Sequence, residues 1–324
     1  MQSSTGSRYI ALDHVRALAA FLVFAWHFLH WSNGYPVPFA MAPLVFPLAL
    51  LDEGHTGVAL FMSLSGYLFA KLLYGAQFSF AGFLCNRALR LLPLLVVVIL
   101  ICGARDILGG VSASAFFASI GKGLLYPTLP NGGWSITVEF HFYLLLPALL
   151  GLLRRAKAWP LFVLALAIAG RALVHYQTGE VQTLAFWTIV GRIDQFVLGM
   201  LCFQWRSRIA RQHFPVVLLL LAFCAFYWCF DNLGGFYHSP SYPSPSALWI
   251  WLPTLEGMVF AVAIAWYDSS FALPNSGFSG FLGRIGEYSY SIYLLHIFFV
   301  ASWAHWVHTS RVRQFTPLSE VRLQ

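Results

Sequence analysis

Residues 10–31 read IALDHVRALAAFLVFAWHFLHW, an apolar run of the length that crosses about 30 Å of hydrocarbon as a helix. Asp13, Arg16 and His27 are set into it, where a plain membrane anchor has no titratable group. A helix rises about 1.5 Å per residue, so Arg16 and His27 stand about 16 Å apart along the axis. The first lies near a membrane surface and the second is expected well inside. An ionisable side chain at mid-membrane costs about 2.5 to 3.5 kcal/mol on insertion scales, so each must face the bundle interior or a wet cavity.

The rest of the chain continues the pattern. Of its 324 residues 59% are hydrophobic and only 10% charged, with a mean hydropathy of +0.71, which exceeds the apolar content of soluble domains. Apolar windows near twenty residues recur at about 57–74, 91–109, 135–153, 158–176, 183–205, 215–231, 247–267 and 288–307. The expected fold is all-α, a polytopic transmembrane bundle of about nine to eleven spans, with residues 1–324 forming a single membrane domain. Two shorter stretches, 37–51 and 111–126, are broken by Pro or Gly and read as interfacial or re-entrant pieces. The formal charge of +7 comes from basic residues scattered between apolar runs, which fits loop anchoring to a lipid bilayer and argues against nucleic acid. Five cysteines show no metal or redox spacing, so neither a metal nor disulfides are implied.

Orientation follows from the basic residues. Lys71, Arg87 and Arg90 flank one loop, Arg154, Arg155 and Lys157 the next, and Arg206, Arg208 and Arg211 a third; these belong on the cytoplasmic side, with the N-terminus. Nine spans then place Arg311, Arg313 and Arg322 on the other side, against the trend. The N-terminal MQSSTGSRYI lacks the features of a cleaved signal and reads as retained.

Each polar residue inside a window has a chemical and a structural reading. His27 can take a proton from an alcohol in its neutral form, or hydrogen-bond a neighbouring helix. Asp13 and Arg16 are spaced i, i+3 and can pair. Glu139, in NGGWSITVEFHFYLLLPALL, can orient a histidine, hold a proton or bind a sugar hydroxyl, or sit as a helix-start acid near the positive dipole end. Arg87 and Arg90 share one helix face, and guanidinium forks suit phosphate oxygens; the alternative is ordinary anchoring. In LFMSLSGYLF, Ser65 and Gly66 allow close helix contact or a hydroxyl-lined path. Arg192 and Asp194 read as internal ionic ties, each requiring a partner on another helix. For His296 a structural hydrogen bond competes with catalysis.

Taken in order, LDHVRALAAFLVFAWH, GVALFMSLSGYLF, FLCNRALRLLP, WSITVEFHFYLLLP, GRIDQFVLGM and GEYSYSIYLLH resemble the acyltransferase-3 family of integral membrane acyltransferases. The resemblance implies transfer of an acyl group, often acetyl, from a cytoplasmic acyl-coenzyme A (acetyl-CoA as co-substrate, with no permanently bound cofactor) to a hydroxyl of a surface or exported polysaccharide or glycolipid, at a bacterial inner membrane. It maps the family's Arg-x10-His motif onto Arg16 and His27, its serine-glycine motif onto Ser65 and Gly66, its Arg-x-x-Arg motif onto Arg87 and Arg90, and its helix-start acid onto Glu139. His27 is then the general base, assisted by Arg16, Asp13 and Glu139, and the basic residues with Ser65 and Gly66 form the coenzyme side. The family's usual opening reads Leu12-Asp13-His14-Val15-Arg16 here, and its Glu-Gln reads Glu139-Phe140-His141. Family members usually continue through another span after the position of His296, which implies a shortened C-terminus. A transporter or flippase using the same intramembrane charges as a proton or substrate path is the rival class.

Overall fold

The computed structural model describes residues 9–31, 46–75, 77–155 and 159–315. Among these the chain is helical throughout, without strands. The elements are α1 (Ile10–Leu29), α2 (Ala49–Asp52), α3 (Thr56–Leu73), α4 (Phe80–Leu108), α5 (Ala113–Lys122), α6 (Trp134–Arg155) and α7 (Trp159–Thr178). They continue with α8 (Gln182–Trp187), α9 (Ile189–Ile209), α10 (His213–Asn232), α11 (Gly235–His238), α12 (Leu252–Ser270), α13 (Gly277–Glu287) and α14 (Ser289–Phe315). Six of them, α1, α3, α4, α6, α7 and α10, are long and apolar enough to cross a membrane. Beside them run α9 and α12, which carry buried charges, and α14, apolar over Ser289–Ala304.

Two apolar windows prove to be interrupted. Within 183–205 the chain breaks at Thr188, whose extended backbone caps α9 by accepting a hydrogen bond from the Gly191 amide at 3.1 Å. Ahead of α12 the Ala247–Ile250 stretch forms a 3-10 turn, and Pro253 occupies the first turn of the helix, where its missing N–H costs nothing. The 111–126 stretch contains α5, ten residues long and too short to span. It lies beside α6, whose Thr137 hydroxyl donates to the Gly123 carbonyl. Most of the 37–51 stretch lies outside the described residues, as do Lys157 and Arg322.

The centre of the bundle is α3 crossing α9. The apolar window of α3 is 72% buried, against 22% for α4, α7 and α10, which turn most of their surface to lipid. Glycine makes the crossing possible: a Cβ on Gly66 would lie 2.0 Å from the Phe196 carbonyl oxygen, and one on Gly199 2.1 Å from that of Ser63. Small residues allow such close approach of membrane helices. At one end of the bundle the C-terminal ends of α3, α6, α9 and α12 gather: Lys71 pairs with Asp268 at 2.6 Å, Arg154 donates to the Leu73 carbonyl, and the Arg211 amide donates to Ser270. Tyr9, preceding α1, lies under Lys71 at the same end. Lys71, Arg154 and Arg211, one from each of the first three basic clusters, therefore share one end, from which α1 starts.

Candidate active site

A cavity of about 100 Å³ opens between α1, α3, α4, α6 and the start of α14. Arg16, Ser65, Arg87, Arg90 and Glu139 all line it, so residues separated by more than a hundred positions meet at one place. Each is delivered by its helix's own packing. Arg16 is buried on the inner face of α1, held by Asp13 through a 2.5 Å ion pair one turn back. Ser65 follows the α3 turn whose next residue, Gly66, is pressed against α9, so Gly66 serves the crossing and only Ser65 faces the cavity. Glu139 accepts hydrogen bonds from the Ser65 hydroxyl at 3.3 Å and from the Tyr143 hydroxyl, one turn on in α6, at 2.5 Å.

The cation side is less fully partnered. Arg87 stacks over Phe69 and Phe83 with centroid distances of 5.5 and 5.8 Å, and its buried Nε has no hydrogen-bond partner among the described residues. Arg90 is exposed to the cavity mouth. Two guanidinium groups at the rim of a pocket, one with a donor left over, are suited to anionic oxygen.

His27 does not line this cavity. It occupies the last turn of α1, which ends at Leu29, at the end opposite Tyr9. There its Nδ1 lies 2.9 Å from the Val23 carbonyl and 3.1 Å from Nε2 of His296, with Trp26 edge-on at 4.7 Å. A link to the cavity runs along α14. His296 Nδ1 lies 2.5 Å from the carbonyl of Tyr293, and Tyr293 lines the cavity, where its hydroxyl donates to Gly132 and accepts from Ser135 at 2.8 and 2.7 Å. Sequence reasoning names Tyr290 and Tyr293 only as neighbours of His296 and passes over Tyr143. Tyr143 stands four residues from Glu139, one helical turn, which was a readable signal; Tyr290 and Tyr293 reach the cavity only because α14 packs there.

A second buried polar cluster lies apart from the cavity. Asp194 on α9 pairs with Arg171 on α7 at 2.8 Å, both fully buried, and Thr254 on α12 joins them. Arg192 donates to the Phe186 carbonyl and to Gln195, and stacks on Phe186 at 4.5 Å. Gln195 and Tyr227 both donate to Glu256. The expected internal ties of Arg192 and Asp194 are present, Arg171 being the partner that no spacing rule could name.

The apolar helices thus enclose a cation-rimmed, acid-containing pocket. Residues 9–320 match the acyltransferase domain of the acyltransferase-3 family, and the chain belongs to that family. It is similar to a putative membrane-bound transacylase, BcsY, of Komagataeibacter xylinus, at 29% identity over 181 residues. That match covers 48% of this chain and 46% of the relative, so the chain spans about half the length of the curated relative it matches. No solved structure matches. Membership in that family favours acyl transfer over the rival transporter class.

Proposed function

We propose that the protein moves an acyl group, acetyl being the smallest, from cytoplasmic acyl-coenzyme A to a hydroxyl of a surface or exported carbohydrate, free or lipid-linked, with its N-terminus on the cytoplasmic side of a bacterial inner membrane. The observation that carries this reading is the convergence of Arg16, Ser65, Arg87, Arg90 and Glu139 on one cavity. The donor's phosphates lie at Arg87 and Arg90, on the end of the bundle that holds the basic loops, and its long pantetheine arm runs up the cavity past Ser65 and Glu139. About 16 Å of helix separates Arg16 from His27, a gap that such an arm bridges while a short donor does not. The acceptor arrives from the opposite end, where His27 stands.

The chemistry is direct transfer. His27 takes the proton of the acceptor hydroxyl as its oxygen attacks the thioester carbonyl; the new C–O bond forms, the C–S bond breaks, and the departing thiolate takes the proton. General-base help is worth about 10² to 10⁴ in rate, the remainder coming from holding donor and acceptor together. Arg16, neutralised by Asp13, and Glu139, hydrogen-bonded to Ser65 and Tyr143, fix the path between the phosphates and the reacting carbon.

Mass spectrometry of surface glycans from cells carrying the parent chain or His27→Ala tests the assignment. Loss of a single acyl mass in the variant is the expected result. Unchanged glycans make His27 a packing residue.

A further inference from the structure

His296 is a buried titratable side chain to which the reaction above gives no part. It is 3% exposed, ends the GEYSYSIYLLH motif, and approaches His27 from a helix at the far end of the chain. The contacts of the two rings determine where their protons sit. His27 Nδ1 is 2.9 Å from the Val23 carbonyl oxygen, and His296 Nδ1 is 2.5 Å from that of Tyr293. A carbonyl oxygen only accepts, so in both rings Nδ1 is the nitrogen that bears hydrogen. A neutral imidazole has one such nitrogen, which leaves Nε2 of each ring with a lone pair. The remaining contact, 3.1 Å between His27 Nδ1 and His296 Nε2, then has a single direction: His27 donates and His296 accepts, with the His27 hydrogen shared between Val23 and His296. The reverse arrangement sets a lone pair against a carbonyl oxygen at both rings.

We propose that His296 is a positioning residue for His27, accepting its Nδ1–H and so leaving the Nε2 lone pair of His27 as the basic nitrogen that meets the acceptor hydroxyl. The inference rests on His27 being the general base. Among the described residues none hydrogen-bonds His27 Nε2. When that nitrogen takes the acceptor's proton, the ring becomes an imidazolium whose Nδ1–H still points at His296, and the hydrogen bond, now donated by a charged group, strengthens. His296 gains and loses no proton in the step. An aspartate commonly fills this place behind a catalytic histidine. A neutral acceptor does the same orienting without a second buried charge at a membrane helix, where a carboxylate would be costly to desolvate.

Alignment of the second ring is itself built in. Tyr293, one turn before His296, is anchored at both faces of its hydroxyl by Ser135 and Gly132, so the start of α6 holds α14 in register with α1. The wall of the cavity and the orientation of the base are therefore set by the same residue.

The test uses the full chain with ¹⁵N-labelled histidine in lipid nanodiscs. In NMR spectra the shared proton is expected to show one-bond coupling to His27 Nδ1 and coupling across the hydrogen bond to His296 Nε2; finding it bonded to His296 Nε2 overturns the proposal. In parallel, His296→Leu is expected to lower kcat for acyl transfer about 10- to 100-fold with KM little changed, and His296→Gln, whose amide oxygen can accept the same hydrogen, to recover most of it. Equal losses in the two variants, or none in His296→Leu, reject it. The spectra need no turnover, so a parent chain that transfers no acyl group from coenzyme A refutes the donor assignment, while the proton's location still decides the role of His296.

Discussion

Two groups of buried charges occupy this bundle, and they are alike in everything the sequence displays. One is the cavity with Arg16, Ser65, Arg87, Arg90 and Glu139; the other is the cluster in which Arg171, Asp194, Thr254, Arg192, Gln195, Glu256 and Tyr227 interlock. Both put arginine and acid inside apolar helices, at comparable cost. The difference is who satisfies them. In the second cluster the guanidinium of Arg171 is shared among Asp194, Thr254 and the carbonyls of Ile250 and Gly191, all protein. Around the cavity the Arg87 Nε has no hydrogen-bond partner among the described residues and Arg90 is exposed. A charge fully answered by its own chain holds helices together; a charge answered in part is available to something that arrives.

That contrast can be broken by substitution. The largest effect is expected at the end of the cavity path: His27→Ala should reduce acyl transfer about 10² to 10⁴-fold while leaving the thermal transition of the purified protein in place. A matching drop in thermal stability would move His27 to the structural side. Next comes Arg171→Leu, which strands the Asp194 carboxylate in the interior. Removing one partner of a buried pair costs about 3 to 5 kcal/mol, so folded protein recovered in detergent should fall steeply, and retained yield with selective loss of turnover would dissolve the distinction. Arg87→Ala should raise KM for the acyl-coenzyme A about tenfold or more, the worth of a charge-assisted hydrogen bond, with kcat nearly unchanged. Steady-state kinetics in nanodiscs separates the two constants.

The smallest effect is a dependence on pH from the connection between α1 and α3. Burial raises the Glu53 carboxyl to about 8 and lowers His55 to about 4, and the two lie 3.0 Å apart, so near neutral pH the proton resides on Glu53 and is donated to the His55 ring. A carboxyl whose folded pKa lies above its unfolded value contributes stability at low pH that is lost as pH rises through the folded value. His55, shifted downward, opposes this only below its ordinary value near 6.5. Within this pair only Glu53 titrates from about pH 6.5 to 8, and its own contribution to stability should fall by about 1 to 2 kcal/mol. Thermal transitions recorded across that range should fall with pH in the parent chain and fall less steeply in Glu53→Gln; an identical slope in the variant places its origin elsewhere.

Much of the fold was legible in advance. Each of the nine apolar windows falls on a long helix, though α4 starts at Phe80, well before its window at 91, and the 183–205 window is divided between α8 and α9; the thickness of a bilayer sets the length of an apolar run. Breaks at Thr188 and before Pro253 were not anticipated: hydropathy averages across a cap that a single hydroxyl or ring decides. Among the candidate residues, the cavity brings together Arg16, Ser65, Arg87, Arg90 and Glu139, places Asp13 behind Arg16, and leaves Gly66 to packing. His27 falls in the last turn of α1, outside the cavity lining, since where a helix stops depends on what its last turn meets. The tie made by Arg171 and the place of Tyr290 and Tyr293 at the cavity are not legible either, and for a related reason. Spacing along one helix reports its faces, but not which other helix comes to lie against them.

The glycine crossing of α3 and α9 bears on how such a protein can change over time. Because Gly66 and Gly199 put backbone against backbone, the location of Ser65 is referenced to the main chain of a neighbour instead of to any side chain that mutation could resize. The lipid-facing skins of α4, α7 and α10 can then drift with the composition of the host membrane, one leucine exchanged for another, without moving the hydroxyl beside Glu139. Relatives with little identity on those exteriors should keep the two glycines and the serine in register, and a lineage that loses either glycine should be one in which the transfer reaction is no longer under selection.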